Sequence, residues 1–322
     1  MKIVSKVVSI LSLFFVCISM AHAQAYPNKP IKLIVPFPPG GTADILGRML
    51  ADKLGVVTSQ SVIVENRAGA AGGIAAQLVA QSPPDGYTLL LGTTGTQTMN
   101  PAINSKLPYN SLKDFASVSN FAASPFVLVV NPNVPAQNLK ELIELAKKKP
   151  GSLRYASFGT GSSAHMTGEM FKLQAGVDIT HVPYKGAAPA LIDLIGGHVD
   201  MMFTLAPSII QHLRSGSLRA IAVAAPQRDQ AIASVPTFTE AGLNNFVSDS
   251  WYGVFAPAGT PQAIITKLNA DIQRILAMPD VKQKLASEGA IPVGNTPEQF
   301  TEQVRKELAH WTKIATEAKI RE

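Results

Sequence analysis

Two glycine-rich turns carry the residues of this chain that could do chemistry. The first runs from Phe37 to Asp44 (FPPGGTAD) and the second from Phe158 to His165 (FGTGSSAH). Each follows a strand-like apolar run and precedes a run with helical spacing, so its glycines and hydroxyls lie where a helix begins. A helix N-terminus presents unpaired N–H groups and partial positive charge, which attract anions. Two such turns far apart in sequence predict two lobes that close on one anionic ligand.

Enzymatic alternatives rest on the second turn alone. Gly159 to Ala164 matches the dinucleotide fingerprint G-x-G-x-x-[GA], and Asp178 follows at about the spacing of the ribose-binding acid. A nicotinamide-dependent oxidoreductase is therefore an alternative, although it leaves the first turn unexplained. A hydrolase is disfavoured because G-x-S-x-G is absent here and Ser163 and His165, two apart on a helix, do not face each other. We expect no catalytic residues and no enzymatic activity.

The sequence indicates neither a metal site nor a cofactor. The only cysteine is Cys17, and no H-E-x-x-H motif or i,i+4 histidine pair occurs. The histidines after residue 23 are His165, His181, His198, His212 and His310. We therefore expect no bound metal and no cofactor.

The first 23 residues have the pattern of a signal peptide. Lys2 and Lys6 precede an apolar run over residues 7–20, and Ala21-His22-Ala23 offers an A-x-A cleavage site. The apolar run is shorter than the ~20 residues that a membrane span needs. The sequence predicts export to the periplasm, cleavage after Ala23, and a mature chain from Gln24 without a membrane-inserted segment.

The charge of the mature chain suits an anionic ligand better than nucleic acid. Removal of Lys2 and Lys6 lowers Lys+Arg from 28 to 26 against 22 Asp+Glu, a formal charge of +4. Nucleic-acid binding would require a basic stripe with interleaved aromatic residues, which the sequence lacks. A mild positive balance favours association with small anions.

Strand-like and helix-like runs alternate along the chain, which is typical of an α/β fold. Residues 126–244 hold a complete set of strands and helices and form one predicted lobe. Residues 24–125 and 245–322 form the other, discontinuous lobe. The chain would then cross between lobes near residues 122–125 and 245–250, and two crossing segments make a hinge.

Several motifs follow one another in an order typical of one family. They are YPNKPI (26–31), VPFPPGGTAD (35–44), VENRAGA (64–70), PDGYTL (84–89), and HVPYKGAAPA (181–190) running on to VDMMF (199–203). Together they closely resemble the Bug (TctC-type) family, the periplasmic solute-binding proteins of tripartite tricarboxylate transporters. The resemblance covers essentially the whole mature chain.

This resemblance implies a two-lobed type II periplasmic-binding-protein fold, each lobe a mixed sheet flanked by helices, with the ligand cleft between them. It implies a small carboxylate ligand: a di- or tricarboxylate, an acidic amino acid or an aromatic acid. One carboxylate would be held between the two turns, partly through ordered water. The closed, monomeric protein would deliver it to TctA/TctB-type permease subunits. Presentation to a membrane sensor kinase stays open as an alternative.

The predicted ligand-binding residues come from the two turns and one outlying acid, Asp200, which matches a family position near the cleft. Asp44 is also explained by the helix dipole alone, and the two phenylalanines by ordinary core packing. No arginine pair can be placed in the cleft, which favours monocarboxylates or a water-mediated far end. The full set is Phe37, Pro39, Gly40, Gly41, Thr42, Ala43, Asp44, Phe158, Gly159, Thr160, Gly161, Ser162, Ser163, His165 and Asp200.

Overall fold

The computed structural model describes residues 26–317 and residue 320; the predicted signal peptide and its cleavage site lie outside the described residues. The strands are β1 (Ile31–Val35), β2 (Val62–Asn66), β3 (Thr88–Thr93), β4 (Phe115–Val130), β5 (Arg154–Ser157), β6 (Thr180–Pro183), β7 (Met201–Leu205), β8 (Arg219–Val223), β9 (Asp249–Pro257) and β10 (Ile291–Pro292). The α-helices are α1 (Thr42–Thr58), α2 (Gly73–Ala80), α3 (Asn100–Ile103), α4 (Leu139–Lys148), α5 (Ser163–Ala175), α6 (Ala187–Ile195), α7 (Ala206–Arg214), α8 (Gln262–Ala277), α9 (Pro279–Ser287) and α10 (Pro297–Glu317). Of these described helices, none has the length and apolarity to cross a membrane.

The first sheet has the strand order β2-β1-β3-β9-β4, with β10 also paired to β4. Strands β1, β2 and β3 are parallel because each is followed by a helical crossover, whereas β9 runs antiparallel to β3 and β4. Helix α1 covers this sheet with a buried stripe of Leu46, Leu50 and Leu54. The first glycine-rich turn therefore lies at the carboxyl end of β1.

The second sheet has the order β8-β4-β7-β5-β6, again mixed. Strands β5, β6 and β7 are parallel to one another and β4 is antiparallel to β7. Helix α5 packs closely on the second sheet because Gly168 has no Cβ. A Cβ at this position would lie 2.3 Å from the ring of Tyr155. The second turn lies at the carboxyl end of β5, the position equivalent to that of the first.

Strand β4 belongs to both sheets. Its residues up to Pro125 pair with β9, and from Phe126 onward they pair with β7 and β8. The chain returns from the second sheet to the first beside Pro125. There Ser248 N–H donates to Ala224 O, and the next residue, Asp249, pairs with Pro125 as β9 begins. Two mixed sheets with flanking helices confirm the predicted two-lobed α/β fold. The domain limits at residues 125/126 and 244/245 stay a prediction.

Candidate functional site

The two glycine-rich turns meet face to face between the sheets. Phe37 and Phe158 form an edge-to-face pair with ring centroids 6.2 Å apart. Gly41 lies so close to α6 that a Cβ on it would stand 3.3 Å from the Cβ of Ala187. The structure is therefore a closed arrangement of the two lobes.

The first two backbone donors of α1 are free. Gly40, at φ +88°, donates its N–H to Asp44 Oδ2 (3.0 Å), and the N–H groups of Asp44 and Ile45 donate to Gly41 O. The N–H groups of Thr42 and Ala43, the first two of α1, meet no acceptor within residues 26–317. These are donors that a helix N-terminus offers to an anion.

The second turn repeats this geometry. Gly161, at φ +78°, donates its N–H to His165 Nδ1 (3.2 Å), while Ser162 caps α5 by accepting from the N–H of His165 (3.3 Å). The N–H groups of Ser163 and Ala164 likewise find no acceptor in the described part of the chain. Each turn thus contributes two unpaired N–H groups at equivalent positions.

A small pocket of about 20 Å³ is lined by Thr42 and Ala43 of the first helix start and by Ser163 of the second. A cavity of this volume holds roughly one water molecule. The Tyr252 hydroxyl lies in its wall and interacts with the side chains of Ser250 and Thr42, and burial raises the pKa of that tyrosine. The lining residues are Phe37, Gly41, Thr42, Ala43, Thr93, Phe158, Ser163, Ala187, Ser250 and Tyr252. No carboxylate lines it, so the pocket suits water or an anion.

A larger cavity of about 280 Å³ shares the Phe37–Phe158 wall with the small pocket. Residues from both lobes enclose it, as expected of a ligand site between domains. They are Phe37, Gly69, Ala70, Ala71, Gly72, Asn100, Asn104, Leu107, Phe158, Gly159, Thr160, Tyr184 and Lys185. The two volumes are adjacent parts of one interlobe site.

Asp44 supports the first turn and lines neither cavity. Burial opposes its ionisation, but hydrogen bonds from Arg48, from Gly40 N–H and from Asn66 outweigh it and hold the pKa of this carboxyl below its usual value. An ion pair of 2.9 Å with Arg48 neutralises the charge locally. The Asp44 carboxylate therefore has its hydrogen-bond and ion-pair partners within the first lobe.

His165 has the equivalent place in the second turn. Burial lowers its pKa, so its Nδ1 accepts the Gly161 N–H as a neutral ring. It stacks on His181 at 4.1 Å, and burial followed by the nearby His165 lowers the pKa of His181 to about 4. His181 Nε2 in turn lies 2.6 Å from Ser157 Oγ. The group that accepts the glycine N–H is thus a neutral imidazole in the second turn, His165, and a charged carboxylate in the first, Asp44.

The structure divides the predicted site residues into two groups. Those in the wall of one or both cavities are Phe37, Gly41, Thr42, Ala43, Phe158, Gly159, Thr160 and Ser163. Those that shape the turns from behind are Gly40, Asp44, Gly161, Ser162 and His165. Pro39 is exposed and lines neither cavity. Contact of any of them with a ligand stays a prediction.

The expectation that Asp200 lies near the cleft is corrected. Its Oδ2 accepts from the backbone N–H of Arg154 (2.7 Å) and from the guanidinium of that residue (3.2 Å). Arg154 begins β5, whereas the second turn follows the end of that strand. Phe158 follows Arg154 by four residues, about 13 Å along an extended strand, so Asp200 lies at the end of the strands opposite the second turn.

Sequence reasoning missed wall residues from several other segments. Gly69 and Ala70 end the VENRAGA motif and Ala71 and Gly72 follow it; the glycine and alanines gave a turn signal without a role. Thr93, Ser250 and Tyr252 reach the small pocket because β3 pairs with β9, which no local pattern reveals. Within the described residues, no cluster of three His, Cys, Asp or Glu side chains could hold a metal ion.

Comparison with known proteins gives consistent similarities. The sequence pattern of the family described as "Tripartite tricarboxylate transporter family receptor" matches residues 46–320. Protein BugT of Bordetella pertussis is 38% identical over 317 residues, 97% of each chain. Among solved structures, R. palustris Rpa4515 with adipate is 37% identical with a TM-score of 0.89, covering 92% of this chain and 99% of that one. MatC from Rhodopseudomonas palustris with bound malate is 34% identical with a TM-score of 0.86, covering 90% and 99%.

Proposed function

Since this chain belongs to the TctC (Bug) family of periplasmic solute-binding proteins, we propose that it captures a small carboxylate anion between its two glycine-rich turns. The family consists of binding proteins and not enzymes. This confirms the expectation of no enzymatic activity and removes the oxidoreductase alternative. The relatives crystallised with adipate and malate support a carboxylate as the ligand class.

The observation that carries the proposal is the set of four unpaired N–H groups at the two helix starts beside the small pocket. Thr42 and Ala43 line the pocket from one lobe. Ser163 lines it from the other lobe, and Ala164 is the next residue of that helix. Hydrogen bonds from N–H groups to a carboxylate are charge-assisted and about twice as strong as neutral ones. Because the pocket has room for about one water, that water relays some of these bonds to a carboxylate in the larger cavity.

Ligand capture would proceed by closure about the two crossing strands, β4 and β9. Residues 24–125 and 245–322 would move against residues 126–244. The contacts that close the cleft are tight: a Cβ on Gly161 would stand 2.8 Å from Asn100 Oδ1, across the two lobes. A closed cleft of this kind buries the ligand and excludes bulk water.

Delivery and location complete the proposal. Family members are periplasmic, and we place cleavage after Ala23 and the monomeric mature chain in that compartment. The family works with tripartite transporters, and the closed form would dock on the membrane subunits of such a transporter.

The test uses a helix position where proline is tolerated. Ser163 is the first residue of α5, and Ser162 has the extended backbone (φ −70°, ψ 161°) that must precede a proline. Ser163→Pro therefore deletes one N–H donor with the helix intact, and Ser163→Ala deletes only the hydroxyl. Calorimetry on residues 24–322 with a carboxylate panel should show binding that Ser163→Pro weakens at least about 10-fold relative to Ser163→Ala.

The matched control is Gln262→Pro, at the exposed first turn of α8, which lines neither cavity. It should leave affinity unchanged. Absence of binding to every carboxylate, or equal affinity in Ser163→Pro and Ser163→Ala, would contradict the proposed function.

A further inference from the structure

We propose that Met166 of α5 is a latch residue, which holds the closed form from outside the ligand cleft. Its side chain lies in an apolar socket of the first lobe, and this contact raises the affinity for every ligand by the same factor. The latch rests on the proposed function, because it concerns the closure by which the two turns capture an anion. Met166 itself lines neither cavity.

The socket belongs to an apolar cluster that is separate from the main core. The buried members of this cluster are Met99, Ile103, Met166, Trp311 and Ala315. Met99 directly precedes α3 and Ile103 ends it, whereas Trp311 and Ala315 lie on α10. These four residues belong to the first lobe and Met166 to the second. Met166 is only 1% exposed, so its burial depends on the other lobe.

The helical period explains why Met166 does not face its own sheet. Ala164, Phe171 and Ala175 of α5 belong to the main core, where the ring centroid of Phe171 lies 5.5 Å from that of Phe203 on β7. At about 100° per residue, Met166 lies about 140° around the helix axis from Phe171. The side of α5 that carries Met166 is therefore free to contact the first lobe.

The latch and the donors of the second turn share one turn of helix. Ser163 is the first residue of α5, and Met166 N–H donates to Ser162 O (3.0 Å). The first lobe comes close to the same turn, since a Cβ on Gly95 would stand 3.2 Å from Ser163 N. A movement of α5 that brings its free N–H groups to the ligand therefore also inserts Met166 into the socket.

Helix α10 fixes the position of the socket. Gln303, Glu307 and Trp311 follow at intervals of four residues, which places them along one face of the helix. Glu307 Oε2 accepts from Trp251 Nε1 of β9 (2.7 Å). Gln303 Oε1 accepts from Asn120 Nδ2 of β4 (3.4 Å). These bonds tie α10 to both crossing strands, so Trp311 keeps its place when the second lobe moves.

Burial of the latch shifts the equilibrium between the open and closed forms. Full burial of a methionine side chain corresponds to roughly 10- to 150-fold in an equilibrium constant. The apparent affinity of a ligand scales with the fraction of protein in the binding-competent form. Loss of the latch therefore lowers the affinity for every ligand equally, whereas loss of a ligand contact changes selectivity. The unbranched methionine side chain adapts readily to a socket that opens and closes.

Calorimetry on residues 24–322 with the carboxylate panel, including succinate, malate and adipate, tests the latch. Met166→Ala should weaken every acid that binds by one common factor of about 10. Met202→Ala removes the same side chain from the buried strand β7. It should lower the stability to urea and change affinity less than about 2-fold. Unchanged affinity in Met166→Ala, or losses that differ among the acids, would overturn the latch.

The socket provides an independent variant. Trp311→Ala should weaken the same acids about 10-fold, whereas Thr316→Ala, exposed on α10, should not. The double variant Met166→Ala/Trp311→Ala should bind no more weakly than the weaker single variant, because both changes delete one contact. Additive losses would show that the two residues act separately and would contradict the socket.

Tryptophan fluorescence follows the socket in the unmodified protein. The sequence has two tryptophans, and Trp251 is buried and bonded to Glu307. Opening withdraws Met166 from the socket, so acrylamide should quench Trp311 more strongly in the ligand-free protein than with a saturating acid. Equal quenching in the two conditions would mean that closure does not cover the socket.

Failure of the latch is distinguishable from failure of the proposed function. If Ser163→Pro weakens binding while Met166→Ala and Trp311→Ala do not, the two turns hold a carboxylate and the latch is wrong. If no acid of the panel binds, the proposed function is wrong and the latch fails with it.

Discussion

The two turns solve one structural problem with different chemistry. In both, a glycine with positive φ directs its N–H onto the side chain four residues later, and the next two N–H groups of the helix stay free. In the first turn that side chain is Asp44, ionised and paired with Arg48. In the second it is His165, neutral, buried and stacked on His181.

This difference shows that neither turn adds net charge at the ligand carboxylate. Arg48 cancels the charge of Asp44, and His165 has none to cancel. The attraction for an anion therefore comes from oriented N–H groups and helix dipoles, which need no counter-ion and cost little to reorganise. The two lobes should nevertheless respond differently to substitution and to pH.

The largest expected effect is on closure, through the second turn. Gly161→Ala adds a Cβ 2.8 Å from Asn100 Oδ1 of the other lobe and strains a backbone at φ +78°. The overpacking across the lobes costs about 1–3 kcal/mol and acts only in the closed form, whereas the backbone strain is common to the open and closed forms. Ligand affinity should therefore fall about 10- to 100-fold by calorimetry. Gly216→Ala is the matched control, because its φ is +72° and nothing lies within 4 Å. A similar loss of affinity in both variants would refute a closure contact at Gly161.

Next in size is the charge balance of the first turn. Asp44→Asn keeps an acceptor for Gly40 but leaves Arg48 unpaired, and Arg48→Gln leaves Asp44 unneutralised. Each should lower the free energy of unfolding by about 1–2 kcal/mol, since bonds to a charged group are lost. Their effects on carboxylate affinity should be opposite: a few-fold gain for Asp44→Asn and a few-fold loss for Arg48→Gln. Urea unfolding measures the change in stability, and calorimetry measures the change in affinity, for each variant. Affinity changes of equal sign in the two variants would show that Asp44 contacts the ligand.

The second turn should make its own contribution to the pH dependence of stability. The pKa values of His165 and His181 are lowered in the folded protein, so the unfolded chain binds more protons as pH falls below 6.5. The contribution of these histidines to the free energy of unfolding is fully present above pH 6.5. It declines as the pH falls towards 4, the pKa of His181. After allowance for partial exposure we expect a loss of about 1 kcal/mol.

Urea unfolding at pH 7.5, 6, 5 and 4.5 measures this decline, and His181→Gln should flatten it, whereas His198→Gln, exposed, should not. Asp44 does not share this range, because its pKa is lowered from 3.8 and its contribution is lost only in stronger acid. Burial raises the pKa of Asp229, Asp249 and Glu307, so these carboxyls contribute to the profile with the opposite sign. Identical profiles for the unmodified protein and His181→Gln between pH 7 and 4.5 would therefore show that the histidine pair is not buried neutral.

The smallest effect tests closure from the first turn without strain. Gly41 has φ −88°, which any residue adopts, and a Cβ there would lie 3.3 Å from the Cβ of Ala187. A shift of a few tenths of an ångström relieves this contact, so Gly41→Ala should weaken binding by no more than a few-fold. A loss as large as that of Gly161→Ala would mean that the first turn approaches the ligand more closely than the second.

Local sequence patterns predicted much of this architecture because its determinants are local. Glycines before apolar helices placed both turns. Ser162 caps α5 with its hydroxyl, whereas α1 starts at Gly41 without a side-chain cap. The first part of β4 was missed, because its polar residues Ser117, Ser119, Asn120 and Ser124 hide the strand. Ser119 and Ser124 are buried there through hydrogen bonds to the backbone of Asn295 and Gly289, more than 160 residues away.

The larger cavity could not be predicted for the same reason. Gly69–Gly72 and Asn100 both belong to the first lobe, where Asn100 Nδ2 donates to Ala70 O (3.3 Å). They meet Lys185 only when the two lobes close, and no spacing in the sequence encodes that contact. Likewise, nothing local distinguishes an Asp44 that faces a ligand from one that is tied to Arg48 and Asn66. The turns were predictable as helix starts, whereas the residues that select the ligand depend on tertiary packing.

The sharing of β4 between the two sheets also sets the order in which the chain can fold. The second sheet draws on one continuous stretch, from Phe126 to Val223, so every strand is present once that stretch is made. In the first sheet β9 separates β3 from β4, and β9 ends only at Pro257. Segments assemble as they emerge from synthesis. The first lobe contains the N-terminal strands, but its sheet should be completed last. Until β9 has been synthesised, the edges of β3 and β4 with which it pairs remain unpaired.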